Sequence, residues 1–348
     1  MKSFISYLFL TIFALWANSQ AYLDYHRTCS NAVVSILDGN YHEAHSSYDS
    51  IFQLYKPFPK DLSIASQNAA LLGMFDSAKK FLLDGASLGL GLAILYEPAF
   101  CKFRKEKDFE LFEKTFLSLS EKYYANLDLK YRNACITLVH QDQSANKTHK
   151  FYNRIWPFNK LAEKQLSEQD SIILKKLDSL VIINNGLFPF RHVVGGRSFE
   201  HPKMRNNKYG TNDFILSIVF IHFPQAFHRY ETVFFEGLLN GELHCETYGL
   251  MRTFCGRDYA IKPKSKKEKR NFPYKDYKYY IKWPDLVKIQ NLEDVNQERK
   301  KIGYLSVESE LRLKSAQYLF YKEKIYFDTI NCSNKANSNL INFHYANL

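Results

Sequence analysis

The stretch "GNYHEAHSSYDSIF" (39–52) is answered 34 residues later by "GMFDSAKKFLLDGA" (73–86). Superposed at that interval, Gly39 meets Gly73, Tyr41 meets Phe75, Ala44 meets Ala78 and Tyr48 meets Leu82; upstream, Ala32 meets Ser66. A pair of helical hairpins accounts for this set. Small side chains at 32/66 and 44/78 let antiparallel helices approach closely. The large residues at 48/82 follow the alanines by one turn, on the same face. Glycine closes the first helix of each pair, where a left-handed residue is needed. Pro57 and Pro59 end the first unit.

The period and the small/large positions resemble the tetratricopeptide repeat over about residues 24–90. Thr28 departs from that pattern, standing where an aromatic is usual. Two units do not close a solenoid, which needs about three, so the outer face of the second must be covered. The segment "YEPAFCKFRKEKDFELFEKTFLSL" (96–119) is suited to cover it, because Phe109, Phe112, Phe116 and Leu119 mark one helical face. It reads as a degenerate third unit or a cap.

Downstream the pattern stays helical without repeating. Helices are expected over 129–152, over about 160–183 with Asn184, Asn185 and Gly186 as the stop, and over "FILSIVFIHFPQAFHRYETVFFEGLLNG" (214–241), divided by Pro224. Another falls near 246–258, and two more in "LEDVNQERKKIGY" (292–304) and "SVESELRLKSAQYLFYKEK" (306–324). Thr211, Asn212 or Asp213 could cap the helix that follows them. The expected fold is all-α: tetratricopeptide-like hairpins at 22–119, a helical bundle domain at 120–315, a tail at 316–348, and one short strand near 276–283.

At the amino end, Lys2 precedes an apolar or neutral run from Phe4 to Trp16, with Ser19 and Ala21 at signal-peptidase spacing. This is the pattern of a cleaved signal peptide (1–21), and the run is too short to span a bilayer. The expected location is periplasmic or secreted. The net charge of +11 could meet nucleic acid, anionic lipid or an acidic polymer; export argues against nucleic acid. The six cysteines allow 15 pairings, and free buried thiols are an equal reading.

No Gly-X-Ser-X-Gly, phosphate loop or Cys-X-X-Cys occurs, and no cofactor is expected. The most notable titratable residue is His222, in the apolar stretch "SIVFIHFPQAF". An imidazole there needs a polar partner; with a carboxylate it becomes a general base, and with Gln143 or main chain it is simply a satisfied core histidine. Asp142, Gln143, Asp258 and Arg299 are the candidate partners. His222, His228, His244 and Cys245 fall close together but match no standard zinc spacing, so no metal site is expected.

The order Asp142-Gln143, a long helix stopping before "NNGLFPF", His222, Arg257-Asp258, then Asn296, Arg299 and Gly303 is similar to a bacterial domain family of unknown function, over about 130–315. Ile221 stands where that family has Gln, Arg257-Asp258 reverses its Asp-Arg, Asn146 or Lys147 stands near its expected Arg, and its Tyr-Gly-Thr element is replaced by a lysine- and tyrosine-rich segment. The family supplies no reaction. The resemblance implies a site at these residues, altered in this chain at those departures.

The last feature is the basic, aromatic loop 262–283, with Lys264, Lys266, Lys267, Lys269 and Arg270 interleaved toward Tyr274, Tyr277 and Trp283. It is either a solvated loop or a surface for anionic glycan or lipid headgroups. Three functions follow from these features: an exported scaffold holding a peptide or protein partner in its repeats, an enzyme centred on His222, or envelope association through 262–283.

Overall fold

The computed structural model describes residues 22–152, 159–196, 214–222, 224–259, 292–310 and 312–313. The leader (1–21), the expected strand (276–283), the basic loop (262–283), the cap candidates at 211–213 and the tail lie outside the described residues. Every regular element among those described is helical.

The first half consists of α1 (22–37), α2 (Tyr41–Leu54), α3 (Pro59–Leu71) and α4 (Phe75–Ser87). Consecutive helices pack as pairs, and α5 (Phe109–Ala125) covers α4. The interval of 34 is visible at atomic level. Ala32, Ser66, Ala44, Ala78, Tyr48 and Leu82 are all fully buried. Gly39 and Gly73 have φ of +82° and +74°. The amide after each reaches the same carbonyl: Asn40 N–H donates to Ser35 O at 2.8 Å, and Met74 N–H to Ala69 O at 2.9 Å. Each glycine amide bonds to the next carbonyl on, Ile36 O and Ala70 O. This is the Schellman closure, and it needs the left-handed residue. Pro59 opens α3 at its first turn, where a missing N–H costs nothing.

Between α4 and α5 the chain makes three 3₁₀ turns, Leu92–Tyr96, Pro98–Phe100 and Phe103–Lys105, in place of a first helix of a third unit. Leu92, Leu95, Phe100 and Phe103 fill the hairpin core from there, with Phe112 and Phe116 of α5 closing it.

The second half has α6 (Leu129–Tyr152), α7 (Asn159–Ile183), α8 (Arg191–Val194), α9 (Ser217–His222), α10 (Pro224–Leu239), α11 (Cys245–Tyr259) and α12 (Leu292–Lys301), followed by a helical segment within 307–313. Pro224 divides α9 from α10. Packed pairs are α6 with α7 and α10 with α11, and α9 touches α6, α10 and α11.

Two apolar cores result, one in the hairpins and one in the second half, and two segments join them. On α1, Tyr25 enters the first core and Leu23 the second; after α12, Leu305 and Leu313 enter the first and Ile302 the second. The junction is polar as well. Arg191 lies 3.8 Å over the Phe58 ring and donates to the carbonyls of Pro57 and Gly241, and Lys60 pairs with Glu246. Gly303 has φ +70° and sits so close to α1 that a Cβ would stand 2.7 Å from His26 Cβ. As a result α3 is buried at every residue from Lys60 to Ala70, and its inner face belongs to the chain itself.

Candidate functional site

α6 and α9 bring the central candidates together. Asp142 and Asn146 stand one turn apart on α6 and face the last residue of α9. His222 Nδ1 lies 2.7 Å from Asp142 Oδ2. Gln143 Nε2 donates to the same carboxylate at 3.2 Å, and Asn146 Nδ2 to its other oxygen at 3.1 Å. Asn146 Nδ2 is also 3.1 Å from His222 Nδ1. Because an ionised carboxylate only accepts, the neutral ring is assigned its proton on Nδ1, toward Asp142, which leaves Nε2 as the acceptor. Asp142 is fully buried, whereas the His222 side chain keeps 22% of its surface open.

A second carboxyl approaches from α7. Asp170 is buried, and burial, with the Asp142 charge added, raises it to about 7 against the pull of His222. Two carboxyls and an imidazole therefore share this place, and one carboxyl is poised to hold a proton near neutrality. Adjacent stripes of α6 and α7 line a cleft of about 520 Å³ whose walls include Gln141, Ser144, Thr148, His149, Gln165 and Gln169.

The other candidates fall differently. Arg299 is buried, pairs with Glu310 at 2.7 Å, donates to Leu305 O and lies over the Tyr304 ring; it ties the final segment to α12. Asp258 is on α11, and its side chain lies outside the described residues. Lys264, Lys266, Lys267, Lys269 and Arg270 are outside them too. Asn146, which stands near the position of the resembled family's Arg, joins the site, and so does Asp170, which sequence pattern had not singled out. One signal was present: Asp170 precedes Ile173 and Leu177 at spacings of three and seven, which puts a carboxylate on the apolar stripe of α7.

A second polar cluster lies at the junction of the halves. His26 and Cys29 are one turn apart on α1, Asp61 is in the first turn of α3, and His244-Cys245 begins α11. All five are buried. Tyr25 donates to Asp61 at 2.6 Å and receives the Phe58 N–H at 2.9 Å. His244 Nε2 faces Asp61 Oδ2 at 3.4 Å, and its Nδ1 is 3.2 Å from the Glu246 backbone nitrogen and 3.9 Å from Cys245 Sγ. Burial opposes protonation of His244, but Cys245 and Asp61 outweigh it and raise the imidazole. In the neutral ring Nδ1 accepts the Glu246 amide, and the remaining proton is on Nε2, toward Asp61.

His26 differs: both its nitrogens are buried without a hydrogen bond, and burial holds it well below the usual histidine range. The Leu238 carbonyl is the main-chain group near it, outside hydrogen-bond geometry. Of the four residues that cluster in sequence, only His244 and Cys245 belong here, and their partner is His26.

Compared with family models, curated proteins and solved structures, the chain matches none.

Proposed function

We propose that the second half carries an acid–base site in which His222 is the group that moves protons. One observation carries this reading: a fully buried Asp142 carboxylate holds Nδ1 of a partly open imidazole at 2.7 Å. An imidazole so oriented presents a basic Nε2, and the carboxylate stabilises the imidazolium formed when Nε2 takes a proton. Asp170, which titrates near neutrality, is suited to be the second proton carrier. The chemistry fits water or a hydroxyl activated for attack on an ester, amide or glycoside.

The test compares wild type with His222→Asn on panels of such substrates, with folding followed by circular dichroism. Turnover should fall by about 10²–10⁴-fold with the helical signal intact. Equal turnover in both proteins, or none in wild type, ends the reading.

A second reading treats the first half as a binding scaffold of tetratricopeptide type, supported by the duplicated closures at Gly39 and Gly73. Because the chain itself covers α3, a peptide or protein partner would dock on the other side, where Leu54 of α2 is 73% exposed. Export is part of both readings. Its support is the leader pattern of residues 1–21. No described helix is long and apolar enough to cross a membrane. Lys264, Lys266, Lys267, Lys269 and Arg270 would give an exported chain a surface for anionic glycan or lipid headgroups.

A further inference from the structure

We infer that His26, His244 and Cys245 bind one zinc ion at the junction of the two halves, fastening α1 to the start of α11. One ligand atom from each residue lies within 4.8 Å of the other two, and all three residues are buried. The strongest single observation is His26. Both of its imidazole nitrogens are buried without a partner in hydrogen-bond geometry, the Leu238 backbone being the main-chain group near them, and a group left this way is costly unless something answers it. A metal ion answers it.

The donor set is two nitrogens and a sulfur, which suits zinc and not magnesium or calcium. In a tetrahedral zinc shell, bonds of about 2.0–2.1 Å to nitrogen and 2.3 Å to sulfur put ligand atoms roughly 3.5 Å apart. His244 Nδ1 and Cys245 Sγ, at 3.9 Å, are near that already. Side-chain rotation draws in the rest. Asp61 stands 3.4 Å from His244 Nε2, the arrangement in which a carboxylate orients a ligating histidine from outside the shell. Charge also closes: the Cys245 thiolate and the Asp61 carboxylate offset the two charges of zinc, so nothing unbalanced is left in the interior. Binding displaces the Cys245 proton to solvent and the Glu246 N–H from Nδ1. The three protein ligands fill three tetrahedral positions and water takes the fourth; because the ligands come from α1 and the start of α11, the ion holds the halves in register.

The test uses the full chain purified from zinc-supplied culture without chelator. Metal analysis should give about one zinc per chain. Unfolding in chelator and refolding with Co(II) should produce a thiolate-to-cobalt charge-transfer band in the near ultraviolet and tetrahedral bands in the visible. Cys245→Ser should lose the charge-transfer band, and His26→Gln should lower the metal content severalfold. His222→Asn should keep both, which separates this site from the acid–base site. Should the first two variants not fold, wild type decides: chelation should lower its melting midpoint, and zinc should restore it. A folded, zinc-free chain whose Co(II) product lacks the band, or whose midpoint ignores chelator and zinc, overturns the inference.

Discussion

Asp170 shows how one residue can carry a cost that its neighbours make useful. Its folded pKa, about 7, lies above the 3.8 of an ordinary aspartate. The folded state therefore binds the proton more tightly than the unfolded one. The stability contributed by that proton is intact below about pH 4 and is lost as pH rises through 7. Asp170→Asn should leave stability near wild type at about pH 4 and raise it by about 1–3 kcal/mol at about pH 8. Urea unfolding at the two pH values reads this directly. A loss of stability at the higher pH would mean that the ionised carboxylate is held by a partner. If Asp170 also carries protons for the site, the same substitution should flatten the pH profile of turnover near neutrality.

At the scale of elements, the helix closures and crossings decide stability. Ala44 and Ala78 are completely buried, so Ala44→Leu or Ala78→Leu must force the helices apart, costing about 1–3 kcal/mol. Gly39→Ala and Gly73→Ala test something else. No atom lies within 4 Å of where the new Cβ would stand; the cost is the left-handed backbone alone, about 1–2 kcal/mol. In denaturant unfolding the two glycine variants should lose nearly equal stability, whereas the two leucine variants should differ according to how far each crossing can yield. These elements were the legible part of the sequence. Glycine, alanine and proline act locally, so the pattern at 39–52 and 73–86 reports its own geometry, and Pro224 reports the break between α9 and α10. The region after α4 was harder. Three 3₁₀ turns carry no periodicity of their own, and Phe109, Phe112, Phe116 and Leu119 announced the covering helix.

Across the whole molecule, the sequence is least informative where its ends meet. His26 and His244 belong to the first and last thirds of the chain, and no spacing rule connects them. Asp61 reads as an ordinary acid in a helix's first turn, yet it is buried between Tyr25 and His244. Arg299 was expected beside His222 because it lies on another helix of the same half, but Glu310 takes its charge. Local pattern sees neither case, because the choice is made by packing between distant segments. The junction of the halves also has a measurable worth. Arg191→Ala removes the stacking on Phe58 and leaves the carbonyls of Pro57 and Gly241 without this donor. Thermal unfolding should show a destabilisation of about 2–4 kcal/mol. An unchanged midpoint would mean that the halves are held together without Arg191.

The central claim is that Asp142 sets His222 as the Nδ1–H tautomer and leaves Nε2 free to take a proton. Nitrogen-15 NMR of the imidazole measures this in the intact chain. In wild type, neutral His222 should show a protonated Nδ1 and an unprotonated Nε2, and Asp142→Asn should shift the population toward the other tautomer. A proton found on Nε2 in wild type, or a tautomer balance that Asp142→Asn leaves unchanged, would contradict the account.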